Sequence, residues 1–307
     1  MVIKRESLTI GKDRNMRTVI SVRVRSLRRI SNSAQRTRIF VAVAIFSLGI
    51  CLHASWAGER IVVGGSGSPI PLTQEMAKAF LAKNPGHEIE VLPRSIGEAG
   101  GIAALGEGRI QVGIIARAPE PGEGTPDMRF RLYAKVPAVV AVNGAVTGVQ
   151  SLTEQQILSI YAGRITNWKQ VGGPDARIQV LTRNEADMNK RAWRLHLKGF
   201  KELQETKDAV MLYKAHEMVG GLLNQMHSIG FTDSIGVLEG KGQLRTLRVN
   251  GIAPTAENVV SGKYWIVKEF YNATKREPPM LAKRFVEFIF SIGGQELITA
   301  FGAVPVP

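Results

Sequence analysis

Two periods of apolar spacing alternate along this chain, and each change of period marks an element. Ile61, Val62 and Val63 are β-branched and predict a short buried strand over 61–64. Gly64, Gly65 and Gly67 then allow a sharp turn, and Pro69 and Pro71 suit the first turn of a helix. The run LTQEMAKAFLAK continues it, so a helix is expected over 71–83 with Leu72, Met76, Ala79 and Phe80 on one face. Further strands are expected at 87–92, 111–115 and 136–142, with a short helix over 97–108 and a Pro- and Gly-rich loop at 119–127. PAVVAVN at 137–143 is apolar throughout and suits a strand buried on both faces.

After Asn143 the pattern starts again. Ser151 and Glu154 have capping-box spacing and predict a helix that ends at Gly163. Trp168 is expected to anchor the loop that follows. A strand at 178–182 places Arg183 at its carboxyl end, ahead of a polar helix over 186–197. A helix near 213–226, a strand with a turn over 228–237 and a period-two strand over 264–271 come next. Helices over 279–292 and around Leu297–Phe301 close the chain. Strands alternating with helices imply an α/β fold.

Residues 1–57 read as a processing signal instead. Eleven basic residues and two acids precede an apolar run over 39–52, and Ser55-Trp56-Ala57 fits a cleavage site. A run of that length is short for a membrane span of about 20 residues. Cleavage after Ala57 is expected, with an uncleaved or lipidated anchor as the alternative. This changes the meaning of the charge. The chain carries +14 overall, but the leader supplies +9, leaving +5 from 29 basic and 24 acidic residues. The high pI therefore belongs largely to the leader, and no nucleic-acid partner is expected. Cys51, the single cysteine, leaves with the leader, so the remainder has no disulfide and no thiol chemistry.

A strand, a glycine turn and a helix N-terminus offer free N–H groups and a positive dipole end to an anion. The same arrangement also serves as a tight connection that binds nothing, and the stretch 61–71 by itself does not choose. Other chemistries find little footing. Gly64-Gly65-Ser66-Gly67-Ser68 lacks the last glycine of a nucleophile elbow. None of the five histidines pairs with another at i, i+4 as a zincin helix requires. GGSGS misses the third glycine of a dinucleotide fingerprint, and no Walker motif is present. No enzyme activity, metal or cofactor is expected.

Several stretches together resemble the periplasmic phosphate-binding proteins that serve ABC importers, over about residues 60–307. IYAGRITNWKQVGGP at 160–174 is the most specific match. GSGSPIP at 65–71, IGEAGGI at 96–102, VGIIAR at 112–117, RNEADMNKRAW at 183–193, SGKYWIVKEFY at 261–271 and the closing FGAVPVP also fit. The resemblance implies a two-lobed periplasmic-binding fold of type II with a ligand cleft between lobes. Lobe one spans 58–143 with 263–307, and lobe two spans 144–262. Hinge crossings are expected near Pro137–Asn143 and Gly262–Trp265.

The resemblance also implies an exported solute-binding protein in the periplasm, a monomer that hands a phosphate-like anion to an ABC permease. Its ligand-binding positions map here to Ser66, Gly67, Ser68, Ser95, Glu98, Arg117, Arg183, Asp187 and Asn189. The match is imperfect. Glu98-Ala99 stands where the family has a serine pair, and Ala186-Asp187-Met188-Asn189 replaces Gly-Ser-Gly-Thr. Two carboxylates thus replace hydroxyl donors, and Arg117 and Arg183 are expected to neutralise them across the cleft. Phosphate affinity is then weakened or replaced. The alternative is the same scaffold holding another small solute, such as a zwitterion, or acting as a sensing or docking module.

Overall fold

The computed structural model describes residues 58–307. The expected leader over 1–57, with its cysteine, lies outside them. The chain opens with β1 (Arg60–Gly65), α1 (Ile70–Lys83), β2 (Glu88–Val91), α2 (Gly97–Gly106) and β3 (Val112–Ile115). β1 lies between β2 and β3 and is parallel to both. These elements sit where the hydrophobic pattern puts them.

Then comes β4 (Met128–Asn143), far longer than the strand expected over 136–142. Its first half, MRFRLYAK, mixes charge with apolar residues, and several of these side chains remain at least partly exposed. Only the second half is fully buried, which is why the apolar run announced that half alone.

The second half of the chain follows as β5 (Ser151–Leu152), α3 (Glu154–Tyr161), β6 (Gln179–Arg183), α4 (Met188–His196), β7 (Val210–Leu212), α5 (Ala215–Asn224), β8 (Ser228–Asp233) and α6 (Ser234–Glu239). β9 (Leu244–Val249), α7 (Ala256–Val260), β10 (Val267–Lys275), α8 (Met280–Ile289), α9 (Ile292–Ala300) and β11 (Val304–Pro305) complete it. Three differences from expectation have local causes. Thr153 with Gln156 forms the capping box of α3, because Ser151 and Leu152 are held in β5 beside β9. The strand over 228–237 stops at Asp233, whose carboxylate accepts from Gly236 N and starts α6. β10 begins at Val267 and not at Tyr264, because Tyr264 lies across the core and donates its hydroxyl to Ala138 O at 2.7 Å.

Among the described residues the strands run in the order β2-β1-β3-β10-β4-β8-β6-β7. β4 is the shared strand. Its residues up to Pro137 pair with β10, and from Ala138 onward they pair with β8 and β9. Each half of the sheet has its own core. Phe80, Tyr133, Phe270 and Phe285 are buried in the first, and Tyr161, Trp168, Trp193, Phe200 and Phe231 in the second. Phe231 is the centre of the second core. Tyr161 stacks on it at 4.3 Å, Trp193 at 4.6 Å, and Phe200 meets it edge-on at 5.3 Å. Trp168 anchors its loop through Nε1, which donates to His227 O at 2.8 Å. The carboxyl ends of β1, β3 and β6 deliver Ser66, Ala116 and Asn184 to the junction of the halves, which is where open α/β sheets place ligands.

Candidate functional site

A cleft of about 220 Å³ lies at that junction. Ser66, Gly67, Ser68, Ser95 and Glu98 line one wall, and Arg183, Asp187, Tyr213 and Lys214 line the other. The first wall depends on two glycines. Gly65 has φ +146, and a Cβ there would sit 2.2 Å from Ile114 O, so only glycine ends β1 this close to β3. At Gly67 a Cβ would meet the Ser95 Cβ at 3.3 Å and the Ala215 Cβ at 3.6 Å. Ala215 begins α5 on the opposite wall, so the cleft is narrow here. The amides of Gly67 and Ser68 make no hydrogen bond to another described residue. They are free donors at the N-terminus of α1.

The hydroxyls expected beside them are largely committed. Ser66 Oγ accepts from Ala116 N at 3.0 Å and donates to Glu98 Oε1 at 2.8 Å. Ser95 Oγ donates to Gly65 O at 3.2 Å and accepts from Gly97 N at 3.1 Å, tying the second loop to the first. Ser68 Oγ accepts from Lys268 Nζ at 2.7 Å. Sequence reasoning missed Lys268, although its charge inside an apolar period-two strand was a signal.

Lys268 also meets Asp233 at 2.6 Å, and both side chains are less than 5% exposed. This buried pair joins the first residues of β10 to the end of β8, directly behind the first wall. Burial raises the Asp233 pKa, but the Lys268 ammonium, together with the Gly236 N–H and the Ser68 hydroxyl, holds the net value below the ordinary carboxylate range.

On the second wall Arg183 is buried and its partner is Asp187. Nη2 reaches Oδ2 at 2.6 Å and donates to Tyr213 O at 3.3 Å. Asp187 Oδ1 accepts from Lys190 N at 3.0 Å and so caps α4 as well. The expected neutralisation therefore occurs within one wall and not across the cleft. Arg183 keeps two buried donors, Nε and Nη1, with no partner among the described residues. Lys190, itself 2% exposed, donates to Arg183 O at 2.8 Å and pairs with Glu205 at 3.0 Å and Glu185 at 2.9 Å. This network holds the backbone of Arg183 in place.

Two expected site residues are not in the cleft. Arg117 turns to Glu123 and donates to both its oxygens at 2.6 Å. That fork raises the Arg117 pKa and lowers that of Glu123. The reason is local: the loop after β3 returns a carboxylate to the guanidinium. Arg117 therefore does not ion-pair with Glu98. Asn189, the second residue of α4, is 1% exposed and does not line the cleft, whereas the N-cap Asp187 two residues earlier does. Tyr213 and Lys214, which were not anticipated, complete the rim, since the turn before α5 folds over the cleft. The four charged residues lining the cleft are Glu98, Asp187, Arg183 and Lys214, and their formal charges cancel.

Three comparisons bear on this arrangement. The family model of the PBP superfamily domain matches residues 53–292. The phosphate-binding protein PstS of Bacillus subtilis is 26% identical over 254 residues, covering 81% of this chain and 82% of its own. PstS of Borreliella burgdorferi is 27% identical over 255 residues, covering 80% of this chain and 89% of its own. Among solved structures, a candidate phosphate ABC transporter substrate-binding protein with bound phosphate from Clostridium perfringens superposes with a TM-score of 0.70 at 27% identity. That match covers 81% of this chain and 100% of the other. These relatives are binding proteins and not enzymes.

Proposed function

Because the chain belongs to the PBP superfamily, we propose that it is an exported solute-binding protein that captures a phosphate-like oxyanion and delivers it to an ABC permease. The observation that carries this reading is the buried Arg183, with two unpartnered donors, lining the same cleft as the unbonded amides of Gly67 and Ser68. A cleft of about 220 Å³ suits a small solute, since drug-sized ligands occupy roughly 300–1,000 Å³. The relatives named phosphate-binding proteins support the choice of anion.

Capture follows from the sheet. The two halves act as lobes, 58–143 with 263–307 against 144–262; the chain crosses between them in β4 and in the segment before β10, beside the Lys268–Asp233 pair that also links them. Rotation about those crossings brings Arg183 toward the Gly67 and Ser68 amides and closes the cleft on its ligand. The closed form then docks on the permease as a monomer, in the periplasm. Each charge-assisted hydrogen bond from Arg183 contributes about 1.5–3 kcal/mol.

Glu98 works against this. A full charge on the ligand 4 Å from its carboxylate costs about 4 kcal/mol at an effective dielectric near 20. A protonated phosphate offsets part of that cost by donating its P–OH to the carboxylate, and sulfate has no proton to offer. Weak phosphate binding that exceeds sulfate binding is therefore expected. A thermal-shift screen with phosphate, sulfate, molybdate and amino acids tests the reading, because a ligand of the folded state raises Tm with its concentration. A shift with phosphate and none with sulfate is expected. A shift with amino acids alone would replace the oxyanion reading with a different solute.

A further inference from the structure

Glu98 gives the cleft an acceptor pole that a fully deprotonated anion cannot use. Its Oε1 takes the Ser66 proton, and no described residue bonds or ion-pairs with its Oε2. The guanidinium that could have neutralised it, Arg117, is held by Glu123. Ser66 has no donor left for a ligand, because its one proton goes to Glu98. The donors of the cleft are the amides of Gly67 and Ser68, on the same wall as this carboxylate, and Arg183 on the opposite wall, whose Nε and Nη1 have no partner among the described residues. Arg183 is 6% exposed, so its unpartnered donors are desolvated and call for an acceptor. The charges lining the cleft cancel, and its volume of about 220 Å³ exceeds what a five-atom tetrahedral anion fills.

From these two poles we infer that the cleft takes an organophosphorus zwitterion, a phosphoryl head with an ammonium on a short alkyl arm. The phosphoryl oxygens meet Arg183 and the two amides, and the ammonium donates to Glu98. An ammonium has three donors and no acceptor, which matches a carboxylate with a free oxygen. The inference rests on reading the cleft as an oxyanion site and adds the cationic arm to it.

The test titrates the protein at neutral pH with 2-aminoethylphosphonate, ethylphosphonate and inorganic phosphate, and repeats the series on Glu98→Gln. Glutamine keeps an oxygen for the Ser66 proton and removes the charge, and a melting curve checks that the variant is folded. The aminoalkyl compound is expected to bind about tenfold or more tighter than ethylphosphonate, as one charged hydrogen bond implies. That advantage is expected to disappear in Glu98→Gln, where ethylphosphonate binding tightens. Equal binding of the two phosphonates by the wild type, or an advantage that survives in Glu98→Gln, overturns the inference and leaves the oxyanion reading standing. Failure of all three compounds to bind overturns both.

Discussion

Asp187 closes on Arg183 at 2.6 Å from four residues further along the chain, and both side chains are less than 10% exposed. The arginine that faces the cleft is thus already paired before any ligand arrives. An incoming anion competes with Asp187 for the guanidinium and gains most from the donors Asp187 leaves free.

Asp187→Asn separates the two roles of that residue. Asparagine still caps α4, so the helix keeps its start. The negative charge beside Arg183 disappears, and phosphate affinity is expected to rise by about tenfold, equivalent to roughly 1.4 kcal/mol. Isothermal titration with phosphate measures it, and unchanged or weaker binding with an intact fold would show that Asp187 does not compete with the ligand.

Arg117→Gln is expected to leave phosphate binding within about twofold of wild type, because Arg117 spends its fork on Glu123 outside the cleft. Titration of this variant beside the wild type checks it. A loss beyond about tenfold (~1.4 kcal/mol) would return Arg117 to the site.

Lys268 and Asp233 predict a stability effect. Removing one member of a buried pair leaves the other charge uncompensated, at a cost of about 3–5 kcal/mol. Lys268→Met is therefore expected to lower the urea midpoint sharply, and replacing both residues by apolar ones of similar size to recover much of it. The pH dependence has a definite sign. Asp233 has a folded pKa below its unfolded value near about 3.9, so its contribution is complete above that value. It is lost as pH falls through the folded pKa, and this share of acid destabilisation is expected to vanish in Asp233→Asn. Denaturation midpoints between neutral pH and about pH 2 follow it, and identical acid slopes in the two proteins would contradict the assignment.

Gly67→Val tests lobe closure. Even a Cβ at this position would stand 3.6 Å from the Ala215 Cβ on the opposite wall. The larger side chain is expected to prop the cleft open, leaving Tm within a few degrees while binding falls. Small-angle scattering with saturating phosphate should then show the compaction of wild type but not of the variant.

Much of the fold was legible in the sequence, and the reasons for the rest are physical. β1, α1 and β3 announced themselves because each buries a regular apolar face. β4 was half seen, since charged positions in Met128–Lys135 hide a strand that only later becomes buried on both faces. Ser151 and Glu154 had capping spacing as good as that of Thr153 and Gln156, and only the pairing of β5 with β9 decides between them. In the site, Arg183 and Asp187 could be found because both lie near one strand end. The turn of Arg117 toward Glu123 depends on how a Pro- and Gly-rich loop returns, which residue order alone does not dictate. Lys268 reaches Asp233 across 35 positions of chain, a contact that only the fold creates.

Isothermal titration of phosphate into the wild type and Arg183→Ala decides whether Arg183 holds an anion in the cleft. Saturable binding of one phosphate per chain is expected for the wild type, with a loss of at least about tenfold in the variant, as removal of a charge-assisted donor implies. Heat curves that do not saturate for the wild type, or binding that survives loss of the Arg183 side chain unchanged, would contradict it.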